Sequence, residues 1–152
     1  MTSNHQQPNL PSLIDIEATF LPIELMRMVS RVTHLLDGAI IAECDLGPQH
    51  WVYPYHFPDD PIFPGSLIIE AAGQVVALWA WAEGQRGDPR LVRANAEFRA
   101  PVQAEDSKLL IEAKVRRKRH LNFAEVTVQT PRQEVATASL VLAVVEATNN
   151  NG

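Results

Sequence analysis

A run of prolines followed at once by a long apolar segment constrains this chain more than any other feature. Four prolines stand close together, at Pro54, Pro58, Pro61 and Pro64. Each proline fixes φ and removes a backbone donor, which excludes a helix or a central strand before Gly65. Residues 66–83 then follow a helical pattern that is apolar almost throughout. The sequence therefore predicts a rigid loop that leads into a buried helix.

Glu70 and Gln74 are the only strongly polar residues before the last turn of this helix. Because they are four residues apart, their side chains share one face. The other positions indicate a helix that is covered all round, since they carry Leu67, Ile68, Ile69, Val75, Val76, Leu78, Trp79 and Trp81. An unpaired carboxylate is costly in such a place. Glu70 therefore serves either a chemical role or a buried hydrogen bond, to Gln74 or to a backbone amide.

The rest of the chain is patterned as strands. Two antiparallel strands are predicted within 21–46, joined at the hairpin signal Asp37-Gly38. Four further runs follow the helix, at 91–98, 108–115, 121–129 and 134–145. Strict alternation within 109–116 gives one apolar face and one mostly solvated face. We predict an α+β fold in which an antiparallel sheet curls around the central helix.

The composition fits a single globular domain. With 152 residues, 46% hydrophobic and 20% charged, the chain can bury a sizeable core. We place the domain at 13–148, between a mobile leader over 1–12 and a flexible tail over 149–152, and leave 13–20 open between strand and short helix. A net charge of -5 argues against a general nucleic-acid binder.

Cys44 is the only cysteine, so no internal disulfide can form. Its strand-like surroundings predict a small buried core residue in a reducing compartment. The polar N-terminus lacks the order of a signal peptide, and the longest apolar run ends at Glu83 and Gly84, short of a membrane span. These features predict a cytoplasmic protein with no membrane association.

His56, Gly65 and Glu70 together offer the parts of an acid–base site. Histidine titrates near neutral pH and can remove a proton, while a carboxylic acid on an apolar helix can donate one. The Gly65 amide lies where the helix dipole favours negative charge and can receive a carbonyl oxygen. Such a set suits removal of a proton next to a carbonyl with loss of a hydroxyl one carbon further on. The alternative is that His56 is an ordinary loop or core residue.

Residues 56–74 resemble the signature of FabZ-type 3-hydroxyacyl-acyl-carrier-protein dehydratases, members of the hotdog-fold superfamily. That signature reads H-F-P-x-x-P-x-x-P-G-x-L-x-x-E-x-x-x-Q, and every fixed position is met. The segment F-R-A-P-V at 98–102 is similar to the F-R-x-P-V segment of the family, and the order of elements agrees over 21–145. A glutamate at position 70 resembles the FabZ branch rather than the isomerising FabA branch.

The resemblance implies a hotdog fold and a homodimer with a continuous sheet, or a higher oligomer of such dimers. In that dimer His56 of one subunit meets Glu70 of the other at the end of an acyl tunnel. His56 takes the C2 proton of a 3-hydroxyacyl thioester carried by an acyl carrier protein on its phosphopantetheine. Glu70 assists loss of the C3 hydroxyl as water, and the Gly65 amide polarises the carbonyl. No metal or organic cofactor is implied.

Substrate contacts are assigned to Tyr55, Phe57, Phe63, Pro64, Gly65, Gln74 and Phe98. Tyr55 stands where the family usually has glycine, and its ring either reshapes the tunnel mouth or packs outward. The family's P-H-R-x-P motif is reduced to Pro22-Ile23-Glu24, its P-G-D becomes Ala104-Glu105-Asp106, and no tyrosine occurs between Gly84 and Phe98 to gate the tunnel. These departures predict a specialised dehydratase.

A basic run, Arg116-Arg117-Lys118-Arg119-His120, joins two predicted strands. It either steers an acidic carrier protein or is a solvated turn, and Arg90, Arg93 and Arg99 are equal candidates for docking. Two other functions are open for the whole chain. One is a hotdog thioesterase, which leaves the pairing of His56 with Glu70 unexplained. The other is a non-catalytic carrier-binding partner subunit whose tunnel is blocked near Tyr55.

Overall fold

One long helix packs against a single antiparallel sheet. The computed structural model describes residues 20–146, and in this part of the chain the helix α1 spans Gly65–Ala82. The six strands are β1 (Arg31–Leu36), β2 (Ala39–Asp45), β3 (Asp88–Phe98), β4 (Lys108–Lys118), β5 (Leu121–Gln129) and β6 (Glu134–Val145). A short 3-10 turn, Glu24–Met26, precedes β1. The predicted α+β architecture is confirmed.

The strands are ordered β1-β2-β4-β5-β6-β3, so β3 lies at an edge although it directly follows the helix. The hairpin predicted at Asp37-Gly38 joins β1 to β2, with Gly38 at a φ of 68°. Within the described residues β3 pairs only with β6. Its free edge carries Leu91 and Val92 largely exposed. A strand edge with unpaired backbone groups and exposed apolar side chains is suited to pairing with another chain.

The core lies between α1 and one face of the sheet. Alternation along β4 is confirmed, because Leu109, Ile111, Ala113 and Val115 are buried while Glu112 and Lys114 are exposed. Val75, Val76 and Leu78 of α1 are fully buried against this face. The helical period of 3.6 residues and the strand period of 2 residues thus both place apolar side chains in the layer between helix and sheet.

The helix is less completely covered than its sequence predicts. Ile69, Glu70 and Gly73 are only half-buried and form an open stripe along α1. By length and composition alone the helix also qualifies as a membrane span, with a mean hydropathy of 1.3, contrary to the expectation from sequence. However, 56% of it is buried inside the fold, which is typical of the core helix of a folded domain.

The largest difference from the sequence prediction lies before β1. A strand was predicted within 21–36, but β1 begins only at Arg31, and the preceding residues form the 3-10 turn and an irregular segment. Met28 and Val29 are nevertheless buried. The backbone of Met28 bonds to the side chain of Gln74 instead of to a neighbouring strand. The predicted leader, the tail and residues 13–19 lie outside the described part of the chain.

An ion pair between a buried carboxylate and a half-exposed arginine ties two loops together. Asp106, whose side chain is 1% exposed, lies between β3 and β4, and Arg132 lies between β5 and β6. Arg132 donates to both carboxylate oxygens, from Nε at 2.7 Å and from Nη2 at 2.9 Å, and the Gln103 amide donates at 2.8 Å. These hydrogen bonds, chiefly those from Arg132, hold the pKa of Asp106 below its ordinary value of 3.8 despite burial.

We expect Asp106→Asn to lower the free energy of unfolding by about 1–3 kcal/mol at neutral pH, because it weakens charge-assisted hydrogen bonds in a buried place. Since the folded pKa is depressed, the contribution of Asp106 is complete above the unfolded value of 3.8 and is lost as pH falls through the folded value. Urea unfolding at several pH values measures both the loss of stability in Asp106→Asn and its dependence on pH. The difference in unfolding free energy between wild type and Asp106→Asn should become smaller as the pH falls. Glu105→Gln, at the exposed neighbouring position, is the control and should not show this change. A difference independent of pH would contradict the assignment.

Candidate active site

The His56 ring is oriented by a backbone carbonyl. Its Nδ1 lies 3.0 Å from the carbonyl oxygen of Ile62. Because a carbonyl only accepts, Nδ1 must carry the proton in this hydrogen bond, and Nε2 of the neutral ring keeps its lone pair. The ring is half-buried and stacks at a tilt on Phe57, with the centroids 4.6 Å apart. This geometry presents Nε2 as a base.

The loop that carries His56 is fastened to the loop between β3 and β4. Ile62 forms an isolated antiparallel bridge with Gln103, and the Phe63 amide donates to the Val102 carbonyl at 2.9 Å. The Tyr53 hydroxyl donates to the Gln103 carbonyl at 3.1 Å. Burial, and then the charge of Asp106, raise the pKa of Tyr53 to about 12, so this hydroxyl stays protonated. The ion pair of Asp106 therefore supports the histidine loop through Gln103.

Three of these supporting residues, Tyr53, Gln103 and Asp106, were not among the predicted site residues. The sequence does give an indication for Asp106, because this is the one residue of the family's P-G-D segment that the chain retains. It gives no such indication for Tyr53 and Gln103, because their roles depend on a contact across 50 residues of chain.

Gln74 holds Glu70 in place. Its Nε2 donates to Oε1 of Glu70 at 2.9 Å and to the Met26 carbonyl at 2.7 Å, and its Oε1 accepts from the amides of Met28 at 2.9 Å and Val29 at 3.4 Å. The predicted neighbourhood of the two side chains is confirmed. However, both donors and the acceptor of Gln74 are occupied by protein, and the residue is 4% exposed. Gln74 therefore positions Glu70. It also lines the cavity beside this carboxylate, and its predicted contact with substrate stays a prediction.

Gly65 begins α1 and is enclosed by an aromatic ring. A Cβ at this position would lie 2.9 Å from Cζ of Phe98. No described group accepts a hydrogen bond from the Gly65 amide, as expected for the first turn of a helix, where the dipole is positive. A shallow cavity of about 410 Å³ opens here between Ile62, Gly65 and Phe98. Gly65 and Phe98 both line this cavity, and their predicted contact with substrate stays a prediction.

A second cavity, of about 250 Å³, lies along the open stripe of α1. Its helical wall is formed by Ile69, Glu70, Gly73, Gln74 and Ala77. A Cβ at Gly73 would meet no atom within 4 Å beyond its chain neighbours and the nearby helix backbone, so this wall faces open space. We call this space the Glu70 cavity. Among the described residues, His56 does not line it, so within one chain the imidazole and the carboxylate do not share this cavity.

The other predicted contacts divide between surface and core. Tyr55 is 80% exposed, so within one chain its ring points outward, which is one of the two alternatives predicted from the sequence. Phe57 is 59% exposed. Phe63 is 2% exposed and packs on the rings of His50 and Tyr53, while Pro64 is buried at the start of α1. Within one chain Phe63 and Pro64 thus shape the loop, and Phe63 also lines the cavity beside Gly65. Burial also lowers the pKa of His50, so this ring stays neutral in the aromatic cluster.

Residues 21–139 match the model of the FabA-like domain, and the chain belongs to this family. The dehydratase heterocomplex ApeI:P from Xenorhabdus doucetiae is similar in structure, with 18% identity, a TM-score of 0.69, and coverage of 84% of this chain and 90% of that one.

Two further solved structures are similar. A hypothetical thioesterase protein with coenzyme A from Streptococcus pneumoniae has 13% identity, covers 78% and 88% of the two chains, and has a TM-score of 0.62. The PaaI protein from the phenylacetic acid degradation operon of E. coli has 14% identity, covers 77% and 80%, and has a TM-score of 0.60. These likenesses identify the hotdog fold, which confirms the predicted fold. These neighbours include a dehydratase heterocomplex and a hypothetical thioesterase, so the fold does not separate the two activities.

We expect Gln74→Leu to lower the free energy of unfolding by about 2–4 kcal/mol, because it leaves the Met28 amide and the Met26 carbonyl without their partner. Equilibrium denaturation measures the loss. Gln49→Leu, at an exposed loop position, is the matched control and should change stability little. Equal effects of the two substitutions would contradict the anchoring role of Gln74.

Gly65→Ala should be destabilising only while Phe98 is present. The added methyl group requires the Phe98 ring to shift, so we expect Gly65→Ala and Phe98→Ala to couple by about 0.5–1.5 kcal/mol in a double-mutant cycle. The four unfolding free energies of the cycle measure this coupling. Additive effects would show that the ring does not restrict position 65.

Proposed function

We propose that the chain is a dehydratase that eliminates water from 3-hydroxyacyl thioesters on an acyl carrier protein, giving trans-2-enoyl thioesters. The observation that carries this proposal is the hydrogen bond from His56 Nδ1 to the Ile62 carbonyl, because it leaves Nε2 as a proton acceptor. Glu70 complements it, since this carboxyl group opens onto a largely apolar cavity beside the helix. The complete FabZ-type signature at 56–74 supports the same assignment.

In the proposed reaction, His56 Nε2 takes the proton from C2, and charge develops on the thioester oxygen. The Gly65 amide stabilises that charge, a contribution of roughly 100- to 1,000-fold for one well-placed donor. The C3–O bond then breaks as protonated Glu70 gives its proton to the leaving hydroxyl, which departs as water. His56 ends protonated and Glu70 ionised, and transfer of one proton from His56 back to Glu70 restores the site.

We propose that the active unit is a homodimer in which β3 edges pair into a continuous sheet. Two observations support this arrangement: the exposed apolar edge of β3, and the separation of His56 from the Glu70 cavity within one chain. His56 of one subunit then meets Glu70 of the other. The heterocomplex of Xenorhabdus doucetiae offers the alternative of a second, different hotdog chain. Such dimers could also assemble into higher oligomers. We further propose a cytoplasmic location, which the single buried thiol of Cys44 supports.

A thioesterase is the second candidate, favoured by the thioesterase neighbours. That activity needs a carboxylate to activate water, and it gives the His56–Ile62 hydrogen bond no chemical role. A non-catalytic partner subunit is disfavoured, because Tyr55 points outward and does not fill the Glu70 cavity of its own chain.

One assay separates the three functions. The protein is incubated with 3-hydroxybutyryl and longer 3-hydroxyacyl carrier proteins, and the acyl mass is followed. Loss of one water supports the dehydratase, release of free acid supports the thioesterase, and tight carrier binding without turnover supports the partner subunit.

His56→Ala and Glu70→Gln should each lower kcat/KM for dehydration by at least about 100-fold, because each removes one half of the acid–base pair. If the two groups come from different subunits, mixing the variants restores one complete site in each mixed dimer. Half of the dimers are then mixed, so we expect roughly a quarter of the wild-type activity in a two-fold symmetric assembly.

Activity of the separate and the co-refolded variants measures this complementation, and mass spectrometry of the intact assemblies verifies that mixed dimers form. Mixed dimers without recovered activity would contradict a site shared between subunits. Full activity of either single variant would contradict the catalytic assignment itself.

A further inference from the structure

We propose that Arg90 selects acyl chains that end in a carboxylate, by binding that group at the far end of the Glu70 cavity. This inference rests on the proposed dehydratase function and names a substrate class for it. It differs from a docking role for Arg90, because this side chain lines the cavity.

The course of β3 places Arg90 opposite the reacting end. Phe98, the last residue of β3, packs on Gly65 at the start of α1, whereas Asp88, its first residue, follows soon after the helix ends at Ala82. β3 therefore runs back along α1. Glu70 and Ala77 both line the cavity, and their separation of seven residues corresponds to about 10 Å along a helix. Arg90 lies toward the end of the cavity away from Glu70.

The walls between these two ends suit an alkyl chain. They are largely aliphatic, and include Leu21, Ile69, Ala77, Leu91 and Leu142. Burial of methylene groups against such walls is favourable. An extended chain advances about 1.2 Å per bond, so about 10 Å holds roughly eight bonds. A substrate with C3 at Glu70 then places the oxygens of a C10 carboxylate near Arg90.

Arg90 has hydrogen-bonding capacity to spare for such an end group. Its Nη1 donates to the carbonyl of the adjacent Pro89 at 2.9 Å, and its Nη2 lies 3.8 Å from the carboxylate of Asp88. The side chain is 64% exposed, and an ion pair in this position contributes little and is readily exchanged. By contrast, Arg132 already binds the carboxylate of Asp106 through two hydrogen bonds, from Nε and from Nη2. The planar guanidinium matches a carboxylate in bidentate geometry.

The phosphate of the phosphopantetheine arm is another source of negative charge. Its distance from the thioester sulfur is roughly 13 bonds, or about 16 Å when extended, which exceeds the length of the cavity. The two amides of the arm would also lie unpaired against aliphatic walls. The acyl terminus is therefore the better match, and substrates that lack the phosphate separate the two sources.

The test compares pantetheine thioesters of 3-hydroxydecanoic acid and of the matching C10 diacid, which differ only at the chain end. We expect wild-type kcat/KM to favour the carboxylate-ended chain by about tenfold, and Arg90→Gln to abolish this preference. Lys114→Gln removes the same charge from an exposed position on β4 and should keep the preference. Equal rates on both chains in wild type, or a preference that survives in Arg90→Gln, would overturn the inference.

A binding measurement separates this outcome from failure of the proposed function. Saturated pantetheine thioethers with the same two chain ends cannot react, and calorimetry gives their affinities whether or not the protein dehydrates anything. An affinity for the carboxylate end that is lost in Arg90→Gln supports the inference even if no 3-hydroxyacyl substrate turns over. If Arg90→Gln instead weakens only phosphopantetheine relative to pantetheine, the anion is the phosphate, and the inference is wrong.

Discussion

The buried carboxamide of Gln74 is the interaction on which the rest of the site depends. It joins the irregular segment around Met26 and Met28 to the middle of α1, and with the same group it fixes one oxygen of Glu70. A buried amide is stable only when its donors and acceptor are all matched, and here they are. Because one side chain serves both purposes, the position of the carboxylate cannot be altered without loosening the packing of the N-terminal segment.

The imidazole half of the site is stabilised in a different way. Its loop contains four prolines and has no regular structure, so its shape depends on contacts with the loop between β3 and β4. That second loop is fixed by the ion pair of Asp106 with Arg132. The carboxylate of Glu70 thus lies on a rigid helix, while the imidazole of His56 lies on a loop held by these contacts. Proline restricts the unfolded loop, and a few specific hydrogen bonds then suffice to hold it in one conformation.

Local patterns in the sequence were sufficient for the regular elements. Alternation identified β4, the apolar run identified α1 to within one residue at each end, and Asp37-Gly38 marked its hairpin correctly. The predictions that were wrong concern features that depend on residues distant in the sequence. The segment before β1 is irregular because its backbone bonds to a side chain 46 residues away. The open stripe on α1 and the position of Arg90 in the cavity follow from the course of β3, which no local pattern specifies. The signature located Glu70 and Gln74, but only the geometry showed that Gln74 holds Glu70 in place.

The acceptor that orients His56 is a backbone carbonyl, and a carbonyl has no charge state to change. Its hydrogen bond to Nδ1 persists when the ring gains a second proton, so the imidazolium keeps the orientation of the neutral base. A carboxylate at this place would instead favour the charged ring. With a neutral partner the ring has the same hydrogen bond whether Nε2 is free or protonated. For the proposed acid–base site this implies reversibility: a ring with the same orientation in both protonation states suits loss of water and its addition alike, and the supply of substrate and product would set the direction of such a reaction.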